Sequence, residues 1–161
     1  MKNLYLIRHA KSSWKLPVDD LKRPLKKRGN LDAILISDHI KKLVSKPDVL
    51  LTSDAERAHS TAIYFKKAFE INSNSFIVNK SLYDFQGKNV LRVINELNDS
   101  YNIVMIVGHN HALTSIANML GDVIINNIPT CGFINIEFTT QKWKFANFGQ
   151  TKNIIFPKDL K

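Results

Sequence analysis

The sequence predicts an α/β protein of three layers, in which helices cover both faces of a mostly parallel central sheet. Short apolar runs alternate with longer segments of helical period along the chain. The run Ile103–Val107 is continuously apolar, which is typical of a central strand buried on both faces. Because 161 residues is the usual size of one domain, we expect residues 1–161 to form a single domain.

The N-terminal third contains two predicted strands, a long loop and a helix. Leu4–Ile7 is a short apolar run and therefore a strand candidate. Arg8–Gly29 has no period and is interrupted by Pro and Gly, which predicts a loop. Loops of that length inside a domain are usually functional. Apolar residues recur at helical spacing in Leu31–Val44, and Val49–Leu51 is the second predicted strand.

The middle third begins with a helix-start signal. Ser53–Glu56 has the form of a capping box, with Ser at the cap and Glu three residues later. Apolar residues then follow a helical stripe as far as Phe69, and Phe76–Val78 is a weak third strand. The stripe of Val90, Leu91, Ile94 and Leu97 predicts the helix that precedes the buried strand.

The C-terminal third contains one more helix and two more strands. Apolar residues from Leu113 to Leu120 predict a helix, and Gly121 is a typical stop signal. Phe133, Ile134, Ile136 and Phe138 predict a strand, and we expect a second strand near Trp143–Phe148.

The charge of the chain restricts the classes of partner. Twenty-three Lys and Arg against fourteen Asp and Glu give a formal charge of +9. Such a surface attracts phosphorylated small molecules, phosphoproteins, nucleic acid or anionic lipid, although a charge run is more often a solvated face. The sequence has no nucleic-acid-binding motif and no interleaving of aromatic and basic residues. A nucleic acid partner is therefore disfavoured.

Cysteine content and hydropathy exclude further classes. The single cysteine, Cys131, rules out an internal disulfide and a cysteine-based zinc site. No apolar run approaches the roughly 20 residues of a membrane span, and the N-terminal apolar run is too short for a signal peptide. We therefore expect a cytoplasmic protein that does not contact membranes.

Basic residues follow three of the predicted strands. Arg8 and His9 follow the first strand, Arg57 follows the second, and His109 follows the buried strand. Because ligands of such sheets bind at the carboxyl ends of the strands, these side chains are expected to converge. Two guanidiniums suit a doubly charged phosphoryl group. One neutral imidazole can attack phosphorus, and the other, if protonated, can stabilise the transferring group.

A metal site is the main alternative for the two histidines. No carboxylate lies close to either one in the sequence to complete such a site. Phosphoryl transfer needs mostly positioning and positive charge, which the predicted set supplies. We therefore expect neither a metal nor a cofactor.

The same residues resemble the signatures of a known family. Leu6–Ser12 resembles the Arg-His-Gly signature of the histidine phosphatase superfamily, the phosphoglycerate-mutase-like phosphatases, with Ala10 in place of the usual glycine. Thr52–Ala62 is similar to the second signature, and Val107–Asn110 resembles the third. Asp20–Leu25 resembles the loop before the first helix of short bacterial members. Together these motifs span nearly the whole chain.

The size and the loop pattern most resemble the SixA-type phosphohistidine phosphatases. That resemblance implies a phosphoglycerate-mutase-like fold and a metal-independent phosphatase. In this sequence His9 would be the nucleophile that becomes phosphohistidine, and Arg8, Arg57 and His109 would hold the phosphoryl group. Ser12 follows the nucleophile closely enough to hydrogen-bond the same group.

The general acid is the least defined part of the predicted site. Larger relatives place a Glu or Asp either directly after the second histidine, where this chain has Asn110, or after the third strand. The latter position corresponds to Asp84, which is therefore the predicted acid. Its alternative role is a cap or turn before the following helix, which suits Asp well. A phosphohistidine substrate has lighter protonation demands, because imidazole leaves more easily than an alkoxide.

Three other functions stay open at this point. A phosphomonoesterase for small molecules would share these motifs, and so would a mutase, although the chain is short for one. A binding module would recognise phosphate without turnover. The expected partner is accordingly a phosphorylated protein or a small phosphorylated molecule.

Overall fold

A computed structural model describes residues 1–161. It contains six strands and four α-helices. The strands are β1 Lys2–Arg8, β2 Val49–Thr52, β3 Phe76–Val78, β4 Ile103–Gly108, β5 Phe133–Phe138 and β6 Gln150–Ile155. The helices are α1 Lys27–Ile40, α2 Glu56–Ala68, α3 Lys88–Asn95 and α4 Ala112–Leu120.

All six strands form one sheet in the order β3-β2-β4-β1-β5-β6. The pairs β3–β2, β2–β4 and β4–β1 are parallel, and the two pairs on the β5 side are antiparallel. The predicted mostly parallel α/β sheet is thus confirmed. Strand β5 alone runs against the others, because β6, antiparallel to β5, has the same direction as β1.

The helices cover both faces of the sheet, as a three-layer arrangement requires. Helices α1 and α2 pack their apolar stripes on one face, where Ile36, Phe65 and Met105 belong to one buried cluster. Helices α3 and α4 pack on the other face, where Ile94 and Ile116 belong to a second cluster. Strand β4 contributes alternate residues to both clusters, which explains its continuous apolar run.

The structure corrects the start of α1. The predicted loop through Gly29 ends earlier, because the helix already begins at Lys27. A Cβ on Gly29 would lie 2.2 Å from the carbonyl oxygen of Lys11. The glycine is therefore present for a close approach of two backbones, and it does not mark a loop.

Two other sequence predictions are wrong. No strand lies near Trp143–Phe148, because Trp143 begins a 3₁₀ turn that its backbone and indole N–H groups tie to Asp99 and Tyr101. The last strand comes later, as β6. The capping box at Ser53–Glu56 does not form either: Ala55 is the N-cap and no side chain caps the helix.

Candidate active site

The predicted basic residues lie at the carboxyl ends of three neighbouring strands. In the sheet β4 lies between β2 and β1, and Arg8 is level with Gly108. The backbone N–H of His9 donates to the carbonyl oxygen of Gly108 at 3.0 Å, so the pairing extends to the first catalytic candidate. Ser53 is held in the same way, through its N–H on the carbonyl oxygen of Val107 at 3.1 Å. The sheet therefore fixes the backbone from which the site is built.

The side chain of His9 is held in one tautomer. Its Nδ1 lies 2.7 Å from the carbonyl oxygen of Ala10. A carbonyl oxygen can only accept, so Nδ1 carries the proton and Nε2 keeps its lone pair. Burial is the largest cause that lowers the pKa of His9 to about 3. The hydrogen bond to Ala10 raises this pKa, whereas the nearby His109, Arg57 and Arg8 lower it. At neutral pH this imidazole is uncharged and presents an unprotonated Nε2.

His109 is buried beside His9. The two ring centroids are 5.3 Å apart, and the rings of Tyr83 and Phe85 surround His109 at 5.3 and 5.1 Å. Its Nε2 lies 2.8 Å from the hydroxyl oxygen of Ser53. Burial, together with the charge of nearby guanidiniums, lowers the pKa of His109 to about 3, although Asp20 acts in the opposite direction. Both histidines are therefore neutral in the unliganded protein.

The two predicted arginines are anchored by carbonyl and carboxylate oxygens. Arg57 donates from Nη1 to the carbonyl oxygen of Asp20 at 2.7 Å and from Nη2 to its carboxylate at 2.9 Å. Arg8 donates from Nη1 to the carbonyl oxygen of Ile128 at 2.9 Å. The Nε atoms of both arginines and Nδ1 of His109 are buried without a partner in the protein. Buried polar atoms are rarely unpaired, so three in one site indicate a place for a polar ligand.

Four further residues belong to the site, although the sequence analysis does not assign them to it: Asp20, Arg23, Ser53 and Tyr83. The carboxylate of Asp20 binds Arg57, Arg23 and the hydroxyl of Tyr83. Burial alone would raise the pKa of Asp20, but these hydrogen bonds hold it well below its usual range. Arg23 is buried and stacks against the ring of Trp14 at 3.4 Å. Ser53 is predicted above to cap a helix, but its hydroxyl contacts His109 instead. Asp20 and Arg23 lie in the segment without a period, so their only signal was the resemblance of that loop.

A cavity of about 280 Å³ is bordered by His9, by Asp20 and by the three arginines of the site, but His109, Ser53 and Tyr83 are not part of its lining. Ser12 lies in it, with its hydroxyl oxygen accepting from Arg23 Nη1 at 2.9 Å, which leaves the hydroxyl proton free to donate. We refer to the cavity as the catalytic pocket. Its lining residues are Arg8, His9, Lys11, Ser12, Trp14, Asp20, Arg23, Arg57, Phe85, Asn110 and Thr130.

Asp84 is not among the residues that line the catalytic pocket. Its carboxylate accepts four backbone N–H groups, from Gln86, Gly87, Asn89 and Val90, at 3.0 to 3.1 Å. Burial would raise the pKa of Asp84, but these four hydrogen bonds hold it below its usual value. The observed contacts are thus those of the alternative role, a cap on the first turn of α3, and the acid role stays a prediction.

Asn110 also has a structural position. Its amide nitrogen donates to Asn127 at 2.8 Å, and its amide oxygen accepts from the backbone and hydroxyl of Thr114. It therefore ties the start of α4 to the 127–130 loop. The side chains of His39 and His111 are exposed, and His59 packs against Phe76.

The structure shows neither a cluster of metal ligands nor a membrane-spanning helix. Nowhere do three His, Cys, Asp or Glu side chains group as metal ligands would. None of the helices is both long and apolar enough to cross a membrane.

The family follows from a match over more than half of the chain. Residues 4–87 match the family described as histidine phosphatase superfamily (branch 1). The chain belongs to the histidine phosphatase superfamily. The matched residues include Arg8, His9 and Arg57, whereas His109 lies beyond them. Membership of this superfamily supports phosphatase activity.

Several known proteins resemble this member of the superfamily. The SixA protein of Agrobacterium tumefaciens is 27% identical, with a TM-score of 0.75 over 84% of this chain and 90% of that one. The protein histidine phosphatase SixA in complex with tungstate shares the fold at 18% identity, with a TM-score of 0.79 over 99% of both chains. An uncharacterized chloroplastic protein of Arabidopsis thaliana is 27% identical over 154 residues, which is 90% of this chain and 70% of that protein. The SixA-type, phosphoglycerate-mutase-like fold expected from the sequence is confirmed.

Proposed function

We propose that this protein is a metal-independent phosphatase that hydrolyses phosphohistidine in proteins through a covalent intermediate on His9. One observation carries the proposal. A neutral His9 has an unprotonated Nε2 in a pocket that Arg8 and Arg57 also line, and the ring of His109 lies 5.3 Å from that of His9. One buried nitrogen on each of Arg8, Arg57 and His109 has no partner in the protein. A phosphoryl group supplies the oxygens that these nitrogens need and the phosphorus that Nε2 can attack. The resemblance to the A. tumefaciens SixA protein supports the same reading.

The first step transfers the phosphoryl group to His9. The lone pair of Nε2 forms a P–N bond while the bond from phosphorus to the leaving group breaks, and the leaving group takes that electron pair. Arg8 and Arg57 bind the phosphoryl oxygens, whose charge they match. The Ala10 carbonyl accepts from Nδ1 and stabilises the positive charge that develops on the ring.

His109 acts as a donor in this step. The Ser53 hydroxyl accepts from the backbone N–H of Ala55 at 3.2 Å and has its own proton to give. When the Ser53 hydroxyl donates a hydrogen bond to His109 Nε2, this nitrogen is the acceptor and the ring proton is on Nδ1, which can donate a hydrogen bond to a phosphoryl oxygen. A bound dianion also favours protonation of His109, which strengthens the interaction.

The second step releases phosphate. A water molecule attacks the phosphorus of phosphohistidine, the P–N bond breaks, and its electron pair returns to Nε2 of His9. The attacking water gives one proton to the solvent, and inorganic phosphate leaves the pocket. The same cationic groups serve both steps because the same phosphoryl oxygens are held throughout.

The acidic groups of the site favour a phosphoramidate over an alkyl phosphate. Asp20 is the one carboxylate that lines the catalytic pocket, and its pKa is held low by hydrogen bonds. Hydrogen bonds also keep the pKa of Asp84 below its usual value, and Asp84 does not line the catalytic pocket. An alkoxide needs an acid to leave, whereas the imidazole of phosphohistidine is a much better leaving group. This is the reason for preferring phosphohistidine to a small phosphomonoester or a mutase reaction.

The experiment is phosphate release without added metal from a protein phosphorylated on histidine and from an aryl phosphate. Wild type is compared with His9→Ala and with His39→Ala, a matched control in an exposed position of α1. We expect release from both substrates, loss of release in His9→Ala, and wild-type rates in His39→Ala.

Two results would overturn the proposal. Equal release by His9→Ala and wild type would remove the covalent intermediate. Absence of release by a folded wild-type protein that still binds phosphate would indicate a binding module instead.

A further inference from the structure

A second cavity, of about 340 Å³, adjoins the catalytic pocket. Thr130 lines both cavities. The two are also joined by the hydrogen bond from Asn110, in the catalytic pocket, to Asn127, in the second cavity. We call the second one the basic cavity. It is lined by Arg28, Asn127, Pro129, Thr130, Phe156, Pro157, Lys158 and Lys161.

The lining of the basic cavity contains three cationic side chains and no carboxylate. These cations are Arg28, Lys158 and Lys161. The buried carboxylate of Asp32 lies beneath them, 2.9 Å from Lys161 Nζ and 3.7 Å from Arg28 Nε. This one carboxylate offsets only a part of the charge of the three cations, so the cluster keeps an excess of positive charge for an anion from solvent.

Further cations extend this surface around one side of the catalytic pocket. A third depression, next to Ser12 and Trp14 of the catalytic pocket, is lined by Lys15, Lys26 and Lys27 together with apolar residues. Arg28 belongs to this depression as well as to the basic cavity. The positive charge is thus continuous along this rim, and a substrate with one phosphoryl group would use only a part of it.

The mouth of the catalytic pocket is open. Trp14 lines the pocket and is 73% exposed, and Phe85 on the other side is 43% exposed. Exposed aromatic rings beside a charged pocket are typical of surfaces that contact another macromolecule. An extended polypeptide can lie across such a mouth and reach both cavities at once.

We propose that the basic cavity binds an acidic side chain of the phosphorylated polypeptide whose phosphohistidine enters the catalytic pocket. This inference rests on the proposed function, because it assigns the substrate of the same site. The cavity would then select phosphorylated segments that carry Glu or Asp near the phosphohistidine, and it would take no part in the chemical step. Charged groups at the edge of an interface act in this way on partner choice.

The test separates recognition from catalysis by measuring binding to the His9→Ala protein, which cannot form the covalent intermediate. The probes are two synthetic peptides with a non-hydrolysable phosphohistidine analogue, one flanked by glutamates and the other by glutamines. Each peptide is titrated against two proteins: the His9→Ala variant, and a triple variant that also carries Arg28→Gln and Lys158→Gln. A bisphosphorylated hexose is the small-molecule probe.

The matched control carries Lys142→Gln and Lys144→Gln in place of the cavity substitutions. These exposed lysines flank Trp143, whose indole N–H donates to Tyr101 next to the start of β4, at the opposite end of the sheet. The control therefore makes the same change in net charge far from the site.

We expect the glutamate peptide to bind about five- to tenfold more tightly than the glutamine peptide, as exposed ion pairs allow. The Arg28→Gln and Lys158→Gln pair should remove this preference, and the control pair should keep it. Equal binding of the two peptides would overturn the inference. The inference would also be overturned if the Arg28→Gln and Lys158→Gln pair weakened the binding of the bisphosphorylated hexose alone. The cavity would then bind the second phosphate of a small molecule. Because His9→Ala does not turn over substrate, a failure of the proposed reaction would appear only in the phosphate-release assay.

Discussion

The catalytic pocket and the basic cavity present positive charge in two different ways. In the catalytic pocket Arg57 is 2% exposed, and carbonyl and carboxylate oxygens fix its guanidinium. In the basic cavity the side chain of Arg28 is 64% exposed and its nearest carboxylate contact is 3.7 Å long. Buried charges in fixed positions act strongly on a reacting group, whereas exposed charges are screened by water and salt. The difference agrees with the proposed roles, in which the first cavity carries out the chemistry and the second selects the substrate.

The largest effect is expected inside the catalytic pocket. Arg57→Ala should lower kcat/KM by about 10²- to 10³-fold, the usual cost of losing one preorganised donor to the transition state. The kcat/KM of Arg57→Lys should lie between those of wild type and Arg57→Ala, because a lysine keeps the charge but cannot make both hydrogen bonds to Asp20. Steady-state kinetics on a phosphohistidine protein measure this, with Arg92→Ala on the exposed side of α3 as the control. A loss below tenfold would mean that the buried guanidinium does not bind the reacting group.

The next effect concerns the stability of the pocket. The pKa values of His9 and His109 are about 3 in the folded protein, whereas an unfolded histidine titrates near 6.5. Between these values the unfolded chain binds protons that the folded chain does not, so stability falls as pH is lowered. From pH 7 to pH 5 each histidine should lower the free energy of unfolding by about 2 kcal/mol.

Urea unfolding at several pH values measures this slope. His9→Asn should flatten it by the share of one histidine, and His39→Asn, at an exposed position, should not change it. An unchanged slope in His9→Asn would show that His9 is protonated as readily in the folded chain as in the unfolded one.

A smaller effect tests whether Asp84 caps α3 or acts as the general acid. Asp84→Asn should lower the free energy of unfolding by about 1–2 kcal/mol, because an amide oxygen replaces a carboxylate that accepts four N–H groups. Its activity on phosphohistidine should stay close to that of wild type. A variant of normal stability that has lost activity would instead support the acid role for Asp84.

The smallest effect belongs to the exposed cations. Raising the salt concentration from about 50 mM to about 500 mM should remove most of the preference for the glutamate peptide, because exposed charges are screened. Hydrolysis of an aryl phosphate, which cannot reach the basic cavity, should change less. If salt affected both substrates equally, the two cavities would not differ in the way described above.

Much of the fold could be predicted because its signals are local and periodic. The continuous run of β4 and the apolar stripes of the helices are direct consequences of burial. Arg8, His9, Arg57 and His109 could be placed together because parallel strands end at one edge of the sheet.

The errors come from residues with two possible roles. Ser53 precedes a helix, where serine is a good cap, but its hydroxyl contacts His109 instead. Aromatic residues such as Trp143 and Phe145 are common in strands, but the long-range hydrogen bonds of Trp143 fix a 3₁₀ turn at this place. Asp20 and Arg23 lie in a segment without a period, and their contacts with Arg57 and Ser12 depend on tertiary structure alone.

The most direct measurement of the central claim is the mass of the protein trapped during turnover of a phosphohistidine protein. Rapid quenching followed by peptide mapping should find one added phosphoryl group on His9, stable to base and labile to acid. The same experiment with His9→Ala should find none. A phosphoryl group on another residue, or turnover without any phosphorylated protein, would contradict the account.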